Sequence, residues 1–117
     1  MIILPGPLKV MVATKPVDFR KGAIGLAALV AHELGLKPFS GVAFIFRSRR
    51  ANRIKLLVWD GTGLVLVSKV LQTGGFHWPW AGDGVMWLSS GQASALFEGL
   101  QWSRMHAPRV PKPVTTR

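Results

Sequence analysis

The stretch Val42-Ala43-Phe44-Ile45-Phe46-Arg47-Ser48-Arg49-Arg50-Ala51-Asn52-Arg53-Ile54-Lys55-Leu56-Leu57-Val58-Trp59-Asp60-Gly61-Thr62-Gly63-Leu64-Val65-Leu66-Val67-Ser68-Lys69-Val70 decides how this chain folds. It holds three runs rich in β-branched and aromatic residues, Val42–Arg47, Arg53–Trp59 and Leu64–Val70. The intervening Ser48–Asn52 and Asp60–Gly63 have the lengths of hairpin loops, and Asp60-Gly61 supplies turn chemistry, so the three runs are predicted to form an antiparallel meander. Successive side chains on a strand point to opposite faces. Val42, Phe44 and Phe46 therefore share one face in the first run, and Ile54, Leu56 and Val58 do in the second. Arg53, Lys55, Leu57 and Trp59 point the other way, which makes the outer side of the second strand half basic.

Upstream of the meander, Leu8–Ala13 follows the Pro5–Pro7 breaker and reads as a first short strand, with an edge position open to it. Ile24, Ala27, Ala28, Ala31 and Leu34 then recur at helical spacing, which predicts a helix over Phe19–Gly35 with Asp18 as N-cap and with Gly35 and Pro38 as stop signals. Gly22 and Gly25 each lower helix propensity by about 1 kcal/mol relative to Ala, and close packing against another element would account for them. Downstream, Gln72–Gly84 is irregular, with short strands read at Phe76–Trp78 and Val85–Leu88. Ser89 or Ser90 caps a second helix over Gly91–Leu100, striped by Ala93, Leu96, Phe97 and Leu100. From Ser103 onward Arg104, Arg109, Lys112 and Arg117 alternate with Pro108, Pro111 and Pro113, a composition that resists helix and sheet alike. The fold class is thus α+β. One domain over residues 1–102, a small antiparallel meander of four to five strands packed with two helices, precedes a basic, mobile tail over 103–117.

With 117 residues, 49% of them hydrophobic, the chain is too apolar for intrinsic disorder and long enough for a core. Fifteen Lys and Arg against five Asp and Glu give a formal charge of +10, which points to a polyanionic partner without choosing among nucleic acid, an anionic membrane surface and an acidic protein. The absence of cysteine removes disulfides and thiolate sites and fits a reducing compartment. The longest apolar stretch, Ala23–Ala31, is far short of the ~20 residues of a spanning helix, and Met1–Leu4 has no basic leader, so a cytoplasmic location is expected.

The densest local feature is Arg47, Arg49, Arg50, Arg53 and Lys55, five cations within nine residues. Guanidinium groups match phosphate oxygens, and a two-stranded ribbon fits a DNA groove, so this hairpin suits nucleic-acid docking; a solvated basic loop is the plain alternative. Arg20 and Lys21 at the helix start oppose the helix dipole, and either complete a phosphate site there or stand as two exposed cations beside Asp18. Phe76, Trp78 and Trp80 are the candidate apolar partner surface, with core packing the plain alternative. No catalytic residue, metal ligand or cofactor is assigned. Asp18 reads as a cap, Asp60 as a turn residue, Glu33 and Glu98 as helix-surface groups and Asp83 as a loop residue, while His32, His77 and His106 lack ligand spacing.

Several of these residues also carry a resemblance. Val17-Asp18-Phe19-Arg20-Lys21-Gly22, Gly25-Leu26-Ala27-Ala28-Leu29-Val30, Pro38-Phe39-Ser40-Gly41 and Phe44-Ile45-Phe46-Arg47-Ser48-Arg49-Arg50-Ala51-Asn52-Arg53-Ile54-Lys55, running into Trp59-Asp60-Gly61-Thr62-Gly63-Leu64, resemble the insertion-sequence-sixty-six family accessory protein TnpB (Orf2-like) over roughly residues 8 to 102. The resemblance implies a non-catalytic helper protein encoded beside a separate transposase. Its implied partners are that cognate transposase and transposon DNA, and it places Arg20, Lys21, Arg47, Arg49, Arg50, Arg53 and Lys55 on the family's basic positions. Contact between those residues and DNA is a physical inference, for which about five neutralised phosphates would give a log–log salt slope near −4 to −5. Where the family pattern reads Lys-Arg-Leu-Glu and Gly-Arg-Phe, this chain has Lys69-Val70-Leu71-Gln72 and Gly74-Gly75-Phe76, so cations are missing there.

Overall fold

A computed structural model describes residues 9–78 and 84–99 of the chain. The elements run β1 (Val10–Ala13), α1 (Ala23–His32), β2 (Ala43–Arg47), β3 (Arg53–Trp59), β4 (Leu64–Val70), β5 (Val85–Leu88) and α2 (Ser90–Phe97). The five strands form one sheet in the order β4-β3-β2-β1-β5. β2, β3 and β4 are the expected meander, with Phe44 opposite Leu57 and Leu57 opposite Leu66. β1 departs from the all-antiparallel expectation and is not at an edge: it lies between β2, to which it runs parallel, and β5, to which it runs antiparallel. All four of its residues, Val-Met-Val-Ala, are buried. A strand apolar on both faces has no side to show to water, and the middle of a sheet covered on both faces is where such a strand is stable.

Each face of the sheet has its own helix and its own core. On one face Met11, Ala13, Phe44, Phe46 and Leu57 meet Leu26, Ala27 and Val30 of α1. On the other, Val10, Val12, Ala43, Ile45, Ile54, Leu56 and Leu88 meet Ala93, Ala95, Leu96 and Phe97 of α2. The alternation read from the sequence holds strand by strand, but the side of β3 expected to face outward is the side that α1 covers.

α1 is shorter than Phe19–Gly35. The Asp18 carboxylate, rather than capping a helix, accepts from the Arg20 backbone N–H at 2.9 Å, and Lys21 N–H donates to Asp18 O at 3.1 Å, which closes a local turn. A short acidic side chain bonding to its own neighbourhood competes with helix formation in this way. The helix begins after Gly22, an N-cap without a side-chain hydrogen bond. Gly22 has nothing within 4 Å of a built Cβ and Gly25 meets only the Lys21 side chain at 3.3 Å, so close packing against another element does not account for either. At the far end Gly35, at φ 65°, turns the chain so that Leu36 N–H reaches Val30 O. α2 begins with the expected serine: Ser89 Oγ accepts from Gln92 N–H, and the Gln92 side chain accepts from Ser89 N–H, a reciprocal capping box.

Phe76–Trp78 is not a strand. It crosses the sheet margin, with Phe76 N–H bonded to Ala51 O in the β2–β3 loop. Gly75 lies so close to that loop that a Cβ would come within 3.1 Å of Ala51 O. The expected basic tail over 103–117 and Leu100 at the end of the second predicted helix lie outside the described residues.

Candidate nucleic-acid interface

The β2–β3 hairpin is a stiff platform. Ser48 N–H donates to Arg53 O, Arg53 N–H donates to Ser48 Oγ, and the Ser48 hydroxyl and Asn52 Oδ1 are 3.3 Å apart. Ala51 takes a left-handed conformation, φ 57°, which a non-glycine residue holds only where its surroundings require it. Here the requirement is visible, because Ala51 O accepts from Phe76 N–H while Asn52 O accepts from Leu71 N–H. The loop is thus fastened from behind by residues 71–76, and its tip residues Arg49 and Arg50 are exposed. Arg53, at the start of β3, is exposed as well.

The other cations assigned to this site have internal work. Arg47 is half-buried; it donates from Nη1 to Arg49 O at 3.2 Å, its buried Nε has no hydrogen-bond partner, and burial lowers its pKa. Arg47 pairs with Ile54 across the ladder and so lies on the α2 face, opposite to Arg53 and Lys55. Lys55 is partly buried. Its Nζ donates to Phe19 O at 2.8 Å and Lys21 O at 2.9 Å and sits 4.8 Å from the Phe19 ring centroid. This ammonium fastens the 18–22 loop onto the sheet, taking carbonyls that a longer helix would have bonded internally.

That tether places the backbone of Lys21 beside β3, two residues along from Arg53. Arg20 and Lys21 precede α1, whose N-cap is Gly22, rather than opening its first turn. Arg20 grips Asp18 in a bidentate pair, with Nη2 to Oδ2 at 2.8 Å and Nε to Oδ1 at 3.1 Å. The hydrogen bond from Arg20 holds the Asp18 carboxyl well below its usual range, at about 2, and the carboxylate in turn raises the pKa of Arg20. This is the single ion pair among the described residues. Among the described residues the arginines at 49, 50 and 53 therefore form no ion pair.

Phe76 and Trp78 do not form an outward surface. Phe76 is 5% exposed in the core on the α2 side, and Trp78 packs against the same core with Nε1 donating to Ala13 O at 2.9 Å. Of the two readings the sequence offers for Phe76 and Trp78, a partner surface and core packing, the described structure has core packing. Trp80 lies outside the described residues, as do Asp83 and His106. Asp60 holds its predicted turn, with Oδ1 accepting from the backbone N–H groups of Thr62 and Gly63 and from the Thr62 hydroxyl. One cation the sequence left without a role has one: Lys69 Nζ donates to Phe97 O at 2.8 Å, at the C-terminal end of α2. A lone Lys in an apolar strand is the signal that pointed to it. Among the described residues no helix is long and apolar enough to cross a membrane.

A profile of the family described as IS66 Orf2 like protein matches residues 8–107, nearly the whole chain. The chain belongs to the IS66 Orf2-like family. Two relatives of this IS66 Orf2-like protein come from Sinorhizobium fredii (strain NBRC 101917 / NGR234). "Uncharacterized protein y4jC" is 42% identical over 106 residues, covering 91% of either chain. "Uncharacterized protein y4hO" is 38% identical over 95 residues, covering 81% of this chain and 83% of its own length. No solved structure matches the chain significantly. The family is one of transposon accessory proteins.

Proposed function

We propose that this IS66 Orf2-like protein is a non-catalytic helper that binds duplex DNA, at transposon ends or within a complex of DNA and the cognate transposase, through phosphate contacts from the β2–β3 hairpin. The observation that carries this reading is the stiff tip bearing Arg49 and Arg50, with Arg53 at its base. These three guanidinium groups are exposed and, among the described residues, free of ion pairs, in a chain of charge +10. A fixed backbone with uncompensated guanidinium groups loses little conformational freedom on meeting phosphates, and each contact releases counterions from the duplex. Lys21, held beside β3, and Arg20, whose side chain is 91% exposed despite its pairing, can join as secondary contacts.

The internal engagement of Arg47 and Lys55 revises the expected strength of the contact. Three free tip cations neutralise about three phosphates and account for a log–log salt slope of about −3, rather than the −4 to −5 of five. Fluorescence anisotropy with labelled duplex DNA across a salt series tests this. Replacing Arg49, Arg50 and Arg53 together with Ala should remove most of the slope and leave thermal unfolding unchanged. A slope that survives the triple replacement would move the contact elsewhere on the molecule.

A further inference from the structure

In a chain with fifteen Lys and Arg, the described residues of α1 and β4 carry almost no charge. α1 contains no Lys, Arg, Asp or Glu, and the single charged residue of β4 is Lys69, whose ammonium is held by Phe97 O. Between them lies an open apolar groove of about 700 Å³, lined by Ile24, Ala28, Ala31, Phe39, Trp59 and Leu64 among others. Ile24 is 81% exposed and Phe39 is 59% exposed, with Phe39 set edge-on to the Trp59 ring.

The same side ends in a bare strand edge. β4 is the outermost strand and pairs only with β3 among the described residues. The bonds Asp60 N–H to Gly63 O and Leu71 N–H to Asn52 O fix the alternation of the ladder. Val65, Val67 and Lys69 therefore bond to β3, and the backbone N–H and C=O groups of Leu64, Leu66, Ser68 and Val70 point outward. Protein edges of this length are usually protected by charge, proline or a bulge; β4 has no proline, its ladder with β3 is unbroken, and its one charged side chain, Lys69, is held at Phe97 O.

We propose that β4 is a self-association edge, and that its partner is a second copy of this chain, paired antiparallel to it about a two-fold axis through Val67. Two features suit a second copy. The outward row can pair with itself: with Leu66 opposite Ser68 and Leu64 opposite Val70 of the copy, every outward group on both edges finds a partner. The charge distribution permits the approach, since among the described residues α1 and β4 present no free cation, and the exposed Arg53 borders the edge at its Val70 end alone. α1 lies over β3 and β4, so the same axis brings the small-residue side of α1 toward its own copy and shields the groove. The inference goes beyond DNA binding and does not depend on it.

The chain has no cysteine, which gives a clean test. On the axis the two Val67 Cα atoms form a non-hydrogen-bonded pair about 4.5 Å apart, within disulfide range. Val67→Cys should yield a disulfide-linked dimer on mild oxidation, whereas Ser68→Cys, offset from the axis, should not. In sedimentation the unmodified chain should show the dimer mass. Ser68→Pro removes an outward N–H that the fold itself does not use, so it should weaken the dimer at least about tenfold while leaving unchanged the melting temperature measured at high dilution, where both chains are monomeric. A chain that stays monomeric throughout the micromolar range, or a dimer indifferent to Ser68→Pro, overturns the proposal. So does a monomer whose Ser68→Pro variant loses capture by the transposase, which would give the edge to that protein instead.

Discussion

Lys55 and Arg49 look alike in the sequence, two cations in one basic run, and the fold gives them opposite tasks. Lys55 faces the α1 side and spends its donors on two backbone carbonyls, while Arg49 stands at the tip. Lys55→Met should therefore cost about 2 kcal/mol of stability in chemical denaturation, the scale of a hydrogen bond from a charged group, and leave the DNA salt slope unaltered. The reverse holds for Arg49→Ala. Asp18 offers a second check at this scale. Its folded value of about 2 lies below the ordinary 3.8, so its carboxylate form favours the fold above pH ~4 and that contribution is lost as pH falls through about 2. NMR titration of the Asp18 carboxyl should give a midpoint near 2 that Arg20→Ala returns toward 3.8. The sequence located these side chains but not their partners. Strand alternation reports which way Lys55 points, and only the path of residues 18–22 decides whether water or two carbonyls meet it there.

At the level of the elements, local signals were read well where they were strong. The three runs of the meander and the Ser89 cap are where turn and capping chemistry put them. Ser89→Ala should lower the unfolding free energy by about 1 kcal/mol through loss of the cap. Lys69→Met should act at the other end of α2, by about 1.5 kcal/mol, since it removes a cation from the helix C-terminus together with its bond to Phe97 O. Both values follow from urea unfolding curves. The readings that failed concern long-range competition. The start of α1 was misplaced because Asp18 and Lys55 claim groups that helical periodicity alone would give to the helix. The four apolar residues of β1 report burial without naming their neighbours, so its place in the middle of the sheet is not legible from them. For Phe76 and Trp78 the sequence holds both a surface and a core reading, and contacts distant in the chain decide for the core.

At the scale of the molecule, the cations of the described residues are sorted. The hairpin tip is basic and unpaired, the α1–β4 side is neutral and apolar, and the middle of the sheet is sealed by a helix on either face. This sorting separates the account from one in which +10 of charge merely attracts any polyanion. The most direct test holds net charge constant and varies only its place. In one variant Arg49 and Arg50 become Ala; in the other Lys9 and Lys37, both exposed and at the end of the sheet away from the tip, become Ala. Both lose the same two charges, and the salt dependence of duplex binding is measured for each. The account predicts that the tip variant loses most of its slope while the lysine variant stays close to the unmodified chain. Equal losses in the two variants would contradict it and leave bulk charge, not the hairpin, as the cause of binding.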